Sequence, residues 1–103
     1  MIKKNLKEAI EAISKVTNLF YQNKTEEGYK ELENTLIVLN NTTSAISDQA
    51  QNGDETIVDQ VKLNEILMQA MKALEIGDTI LFSDIFEYEL KELFTEAINA
   101  DIL

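Results

Sequence analysis

Acidic side chains near the end of the chain are the first candidates for chemistry. On a helical wheel, Glu89 falls between Ile85 and Phe82, with Glu96 nearby, so that a carboxylate is expected on an apolar arc. A carboxyl group in apolar surroundings has a raised pKa and can donate or shuttle a proton. Glu89 is therefore the candidate perturbed acid. Alternatively, it lies at the rim of the arc or accepts a hydrogen bond, and its role is structural.

Metal binding by these acids finds little support. Asp84 and Glu87 are three residues apart, a spacing that could bring two ligands together on a helix, but the helical wheel places both on the outward side. The segment from Asp48 to Asp59 lacks the alternating oxygen ligands of an EF-hand. The chain has no histidine and no cysteine, which removes two common metal ligands. We expect no metal and no cofactor.

Other enzymatic sites also lack their residues. There is no Ser-His-Asp set, glycine-rich phosphate loop or dinucleotide fingerprint. All nine basic residues are lysine, so bidentate guanidinium contacts are unavailable. Tyrosines such as Tyr21, Tyr29 and Tyr88 usually bury the ring and keep the hydroxyl in water. We predict that the protein is not an enzyme, with a small enzyme or ligand binder using Glu89 as the weaker alternative.

The charge of the chain excludes two classes of partner. Its net charge is −10, which repels nucleic acid and anionic membranes. Residues 1–24 hold five lysines and two acids, whereas residues 78–103 hold one lysine and seven acids. We expect the first helix to lie beside the acidic last one. Glu8 and Glu11 interrupt the apolar run after the basic N-terminus, so no signal peptide is predicted and a cytoplasmic location is expected.

Apolar periodicity predicts four helices in a single domain covering residues 1–103. They are expected at about residues 3–22, 26–47, 57–75 and 79–100, with a loop at 48–56. Four signals predict where these helices begin and end. Thr25 is the expected N-cap of helix two, and Thr56 with Asp59 forms a capping-box variant at the start of helix three. Gly77 is the expected C′ residue of helix three, and Asp78 is the expected N-cap of helix four. The buried stripe of helix two is expected to be Tyr29, Leu32, Leu36, Leu39, Thr43 and Ile46.

Short connections between the helices indicate antiparallel neighbours. The fold class is therefore all-α, an antiparallel up-down-up-down four-helix bundle made of two helical hairpins. A shift of 54 residues superimposes many apolar positions of the two hairpins, which is typical either of a duplication or of any two amphipathic hairpins. A dimer of hairpins is the alternative architecture.

Two helices carry more apolar surface than an outer helix of a bundle needs. Ile37 and Val38 fall off the stripe of helix two, and Leu81, Ile85 and Phe94 widen the arc of helix four. Either these residues are ordinary exposed or core residues, or they form a surface that meets a partner. They are the candidate partner surface.

Two segments resemble a known group of proteins. The stretch from Gly77-Asp78 through Glu87-Tyr88-Glu89-Leu90, and the earlier Glu26–Leu32, resemble small uncharacterised helical proteins of low-GC Gram-positive bacteria. That resemblance implies a helical bundle without an established activity. The overall plan also resembles the flagellin-type export chaperones, which are small, acidic, cytoplasmic bundles that wrap an amphipathic tail of their client.

These observations favour a non-catalytic interaction module, an adaptor, chaperone or regulator. It would bind a protein partner, a helix or tail with basic flanks, through an apolar surface with an acidic rim. The alternative is a self-associating homodimer that covers the surplus apolar surface with a second copy.

Overall fold

The computed structural model describes residues 2–51 and 58–101, and the described ranges contain helices and no strand. The elements are α1 (Ile2–Tyr21), α2 (Thr25–Gln51), α3 (Gln60–Glu75), α4 (Thr79–Ile85), a π-helical turn (Phe86–Leu90) and α5 (Lys91–Asp101). α4, the π-turn and α5 follow one another without a break and are together called the fourth helix. The predicted antiparallel four-helix bundle is confirmed.

The predicted helix bounds are correct to within a few residues, with two corrections. α2 continues to Gln51, so the loop predicted at 48–56 is wrong for its first four residues. Asp59 is itself the N-cap of α3, because its carboxylate accepts hydrogen bonds from the Val61 and Lys62 amides at 3.0 and 3.2 Å. The remaining loop residues and the predicted cap Thr56 lie outside the described residues.

Matching turns connect the helices of each hairpin. Asn23 and Gly77 have φ angles of 61° and 75°, the left-handed conformation that ends many helices. In both turns the next amide reaches back five residues, Lys24 to the Leu19 carbonyl and Asp78 to the Ala73 carbonyl, each at 2.9 Å. The two turns are 54 residues apart, the spacing of the sequence repeat. Asp78 caps α4 as predicted, whereas Thr25 is already the first residue of α2 rather than its cap.

α1 and α2 pack along a narrow seam lined with small residues. On α2 the buried residues include Gly28, Leu32, Thr35, Leu39, Thr42 and Ile46, at alternating steps of four and three. The predicted stripe is therefore wrong at Tyr29 and Leu36, which are exposed, and at Thr43, which is partly exposed. The buried threonine hydroxyls donate to carbonyls of their own helix, and they also lie 3.5 Å from the Ala12 carbonyl and 3.1 Å from the Asn5 carbonyl of α1. Small side chains with satisfied hydroxyls let the two helices approach closely.

α1 lies between α2 and the fourth helix, and α3 packs on the other side of the fourth helix. The first helix therefore does lie beside the acidic last helix, as predicted. The apolar side chains of the fourth helix fill the middle of the bundle; its buried residues include Phe82, Phe86, Leu90, Leu93, Phe94 and Ala97. Phe82 also contacts Phe20 of α1 edge to face, with ring centroids 5.8 Å apart.

Candidate functional site

An open apolar groove runs between the end of α3 and the start of the fourth helix. Its volume is about 420 Å³, and it is lined by Gln69, Lys72, Ala73, Ile76, Leu81, Ile85 and Glu89. Only Lys72 and Glu89 carry charge, and both belong to its rim.

The tight turn at Gly77 is what builds this groove. Ile76 is the last residue before the left-handed glycine, and its side chain is 75% exposed. Leu81 lies one turn into α4 and is 43% exposed, whereas Ile85 is buried and forms the floor. Leu81 and Ile85 were predicted as partner-surface residues, and the structure brings them together. Ile76 was not predicted, although an isoleucine directly before a C′ glycine, outside the apolar stripe, is a signal for it.

The other predicted partner-surface residues do not join this groove. Phe94 is fully buried in the core, so its assignment to an exposed surface is wrong. Ile37 is exposed on α2, outside the groove. Val38 is partly buried against the core and lines a separate hollow between α1 and α2. The five residues therefore do not form one continuous surface.

The π-turn explains why the wheel misplaced Phe94 and Glu89. A π-turn holds one residue more than an α-turn, so every residue beyond it is rotated by roughly 100° relative to a straight helix. This rotation brings Phe94 to the centre of the core, and Glu89, which lies within the wider turn itself, is outside the apolar arc. Glu89 is exposed at the groove's rim, as the alternative interpretation has it. The prediction of a carboxylate enclosed by apolar side chains is wrong.

A polar contact line joins α1 to the fourth helix on the side that the wheel assigned to solvent. The Tyr21 hydroxyl donates a hydrogen bond to Asp84 Oδ1 at 2.6 Å, and Thr17 Oγ1 lies 3.2 Å from Glu87 Oε2. Lys91 Nζ donates to Glu87 Oε1 at 2.9 Å. Asp84 and Glu87 therefore face α1, and the prediction that both point outward is wrong. Partial burial and the hydrogen bond to Asp84 raise the pKa of the Tyr21 phenol well above its usual range.

A second depression, called the acidic hollow below, adjoins the groove on the fourth helix. It has a volume of about 190 Å³ and is lined by Lys62, Tyr88, Glu89, Glu92, Leu93 and Glu96. Glu89 lines both depressions, so they lie side by side along the fourth helix. Tyr88 stands on the π-turn with 67% of its surface exposed. In the sequence Tyr88 stands out only as one of three tyrosines; nothing in the helical periodicity marks its position.

Two further properties concern only residues 2–51 and 58–101. Within them, no three acidic side chains are grouped so that they could hold a metal ion. None of the helices formed by these residues has the length and apolar character required to cross a membrane.

The fold and the groove define a small all-helical bundle protein that carries an apolar groove beside an acidic hollow. The chain belongs to the family described as "Domain of unknown function (DUF8042)", whose model matches residues 1–100. This membership agrees with the resemblance to an uncharacterised family. No protein of curated function and no solved structure matches the chain.

Proposed function

We propose that the protein is a non-catalytic interaction module of the cytoplasm, an adaptor, chaperone or regulator that binds a protein partner in the groove of Ile76, Leu81 and Ile85. The observation that carries this proposal is the grouping of two exposed aliphatic side chains over a buried apolar floor. Contiguous apolar surface of this kind marks binding sites more often than single exposed residues do.

The shape of the groove suits one face of an amphipathic segment. It is open along its length and formed by the sides of two helices, which is the usual setting for helix-in-groove binding. Its rim is polar, with Gln69, Lys72 and Glu89 around the aliphatic centre. An apolar centre with a polar rim is the common anatomy of a protein interface.

Self-association through the same groove is the alternative that the charge disfavours. Each copy carries a net charge of −10, so two copies repel each other before any apolar contact forms. We expect light scattering after size-exclusion chromatography to give the mass of a monomer at micromolar concentration. If the protein is instead a dimer, and Leu81→Glu makes it dissociate, the partner in the groove is a second copy of this chain.

The direct test compares two substitutions on exposed aliphatic residues. Leu81→Glu puts a charge into the groove, and Ile37→Glu puts the same charge on α2 outside it. Both side chains are exposed, so both variants should keep the helical circular dichroism of the wild type. We expect a stoichiometric partner to be recovered from native cell extract with wild type and Ile37→Glu, and lost with Leu81→Glu. Equal recovery by both variants would show that the groove is not the binding site.

A further inference from the structure

The groove adjoins the acidic hollow at Glu89, and the two depressions differ in chemistry. Leu81 and Ile85 lie in the apolar part, Glu92 and Glu96 lie in the acidic part, and Glu89 belongs to both. A segment that follows the fourth helix out of the groove must therefore pass from aliphatic contacts to carboxylates. The surface is apolar at one end and acidic at the other.

The charge of the hollow is not balanced by the chain itself. Its three glutamates face a single lysine, Lys62. In residues 2–51 and 58–101 the ion pairs are Lys15–Glu31 and Lys91–Glu87, and neither includes an acid of the hollow. A positively charged side chain of a partner would find these carboxylates exposed and available.

Tyr88 adds an aromatic surface to the same place. Tyr88 is 67% exposed and lines the acidic hollow. Cations bind over the faces of aromatic rings, and tyrosine is over-represented among the residues that dominate interface energies. Tyr88 also stands on the π-turn, and such turns occur frequently at functional sites.

Resting on the proposed function, we infer that the partner is an amphipathic segment with a lysine or arginine at one end only. Its aliphatic side chains fill the groove, and its cation binds over the Tyr88 ring among Glu89, Glu92 and Glu96. The complementary charge selects such a segment over a second copy of this acidic chain. Leu81 and Glu92 are eleven residues apart, about 16 Å along the helix axis, so a helical partner carries its cation roughly eleven residues from its first aliphatic contact.

Helical peptides with a fluorescent label test this inference. The first carries two leucines four residues apart and two lysines about eleven residues further on. The second has glutamine in place of both lysines, and the third has the same composition with the lysines between the leucines. Each peptide is synthesised with this sequence and with the reversed sequence, so that both directions of the helix in the groove are tested. By fluorescence anisotropy at low salt, we expect the first peptide to bind about tenfold more tightly than the other two, an advantage that falls as salt is added.

Variants of the protein locate the source of this advantage. Glu92→Gln with Glu96→Gln, and separately Tyr88→Leu, should remove most of the tenfold difference without changing the affinity of the glutamine peptide. Tyr88→Phe keeps the aromatic face and should retain the tenfold difference between the lysine and glutamine peptides. The matched control, Glu8→Gln with Glu11→Gln, removes two exposed acids of α1 and should leave the tenfold difference unchanged.

The possible outcomes distinguish the preference for a cation from the proposed use of the groove as a binding site. If the lysine and glutamine peptides bind alike and Leu81→Glu weakens both, the groove is a binding site and the cation preference is wrong. The preference is also wrong if the lysine advantage survives in the Glu92→Gln/Glu96→Gln protein. If no peptide binds, or if Leu81→Glu changes no affinity, the proposed use of the groove fails as well.

Discussion

Gly28 of α2 is in direct contact with the ring of Phe20 of α1, and a Cβ atom at position 28 would lie 2.5 Å from Phe20 Cε1. The ring is buried and meets Tyr29 and Phe82 edge to face, with centroids 5.3 and 5.8 Å away. It is therefore held on two further sides and has little room to move. The close approach of α1 and α2 next to their turn depends on a residue without a side chain.

Gly28→Ala should consequently destabilise the protein. Overpacking of a close contact costs about 1–3 kcal/mol, whereas alanine gains about 1 kcal/mol over glycine in a helix. We expect a net loss of up to about 2 kcal/mol in the free energy of unfolding, measured by urea denaturation followed by circular dichroism. A gain in stability would show that the Phe20 ring can move aside.

A double mutant tests whether the clash is the cause. Phe20→Leu removes the ring that the new methyl group would meet, at its own cost in core packing. Combined with Gly28→Ala, it should cost clearly less than the sum of the two single substitutions. Additive losses would mean that alanine acts through some other contact.

Much of the fold could be predicted because helix ends and faces have local causes. Asp78 and Gly77 marked the turn before the fourth helix, and both take the predicted roles. On α2, apolarity alone does not identify the buried face. Thr35 and Thr42 are buried instead of Leu36 and Thr43, since their hydroxyls find carbonyl partners and their size suits the seam.

The site was harder to predict than the fold. Leu81 and Ile85 were recognised as surplus to a simple stripe, but a wheel assumes a constant 100° per residue. The π-turn breaks that assumption at Phe86–Leu90, which is why Phe94 was placed outside the core and Glu89 on its apolar arc. Nothing in the helical periodicity of the sequence marks a π-turn at this position.

Deletion of Tyr88 should turn the π-turn into an ordinary α-turn. The residues beyond it would keep their present orientation, so Leu90 and Phe94 would stay in the core. We expect helical circular dichroism close to that of the wild type and a loss of no more than about 2 kcal/mol in the free energy of unfolding. The measurement is urea denaturation, as for the glycine variant.

Deletion of Glu92 is the matched control, because this exposed residue lies in the regular α5. Its loss would rotate everything after it by about 100° and turn Leu93, Phe94 and Ala97 away from the core. The cost should exceed about 3 kcal/mol, since each large side chain that leaves the core loses about 1.5–3 kcal/mol. Equal costs for the two deletions would mean that the π-turn does not set the orientation of the residues that follow it.

The Thr42 hydroxyl should stabilise the seam between α1 and α2. It is fully buried and lies 2.9 Å from the Val38 carbonyl and 3.1 Å from the Asn5 carbonyl. Thr42→Val keeps the shape and should cost about 0.5–1.5 kcal/mol. Thr43→Val is the control, because that hydroxyl is bonded only within its own helix, to the Asn40 carbonyl, and lies nearer solvent. A smaller effect at Thr42 than at Thr43 would rule out a stabilising hydroxyl in the seam.

The hydrogen bond from Tyr21 to Asp84 should make stability depend on pH in the alkaline range. Partial burial and this bond raise the phenol pKa of the folded protein, whereas the unfolded chain titrates near the ordinary value of about 10. A group with a raised folded-state pKa stabilises the protein fully below the unfolded value, and the stabilisation is lost as the pH rises through the folded value. Tyr21→Phe should therefore cost about 0.5–1 kcal/mol at neutral pH, toward the low end for a partly exposed bond.

The pH series compares Tyr21→Phe with the wild type. The difference in unfolding free energy should be the same at pH 7 and pH 9 and should fall by about pH 11. Tyr29→Phe is the control, because Tyr29 is 41% exposed against 39% for Tyr21, and its hydroxyl makes no hydrogen bond to residues 2–51 or 58–101. A pH-independent Tyr21 difference, or an equal alkaline decline for both tyrosines, would show that the Asp84 bond does not hold the phenol proton. In that case the hydrogen bond between Thr17 and Glu87 would be the polar contact that joins α1 to the fourth helix on this side of the bundle.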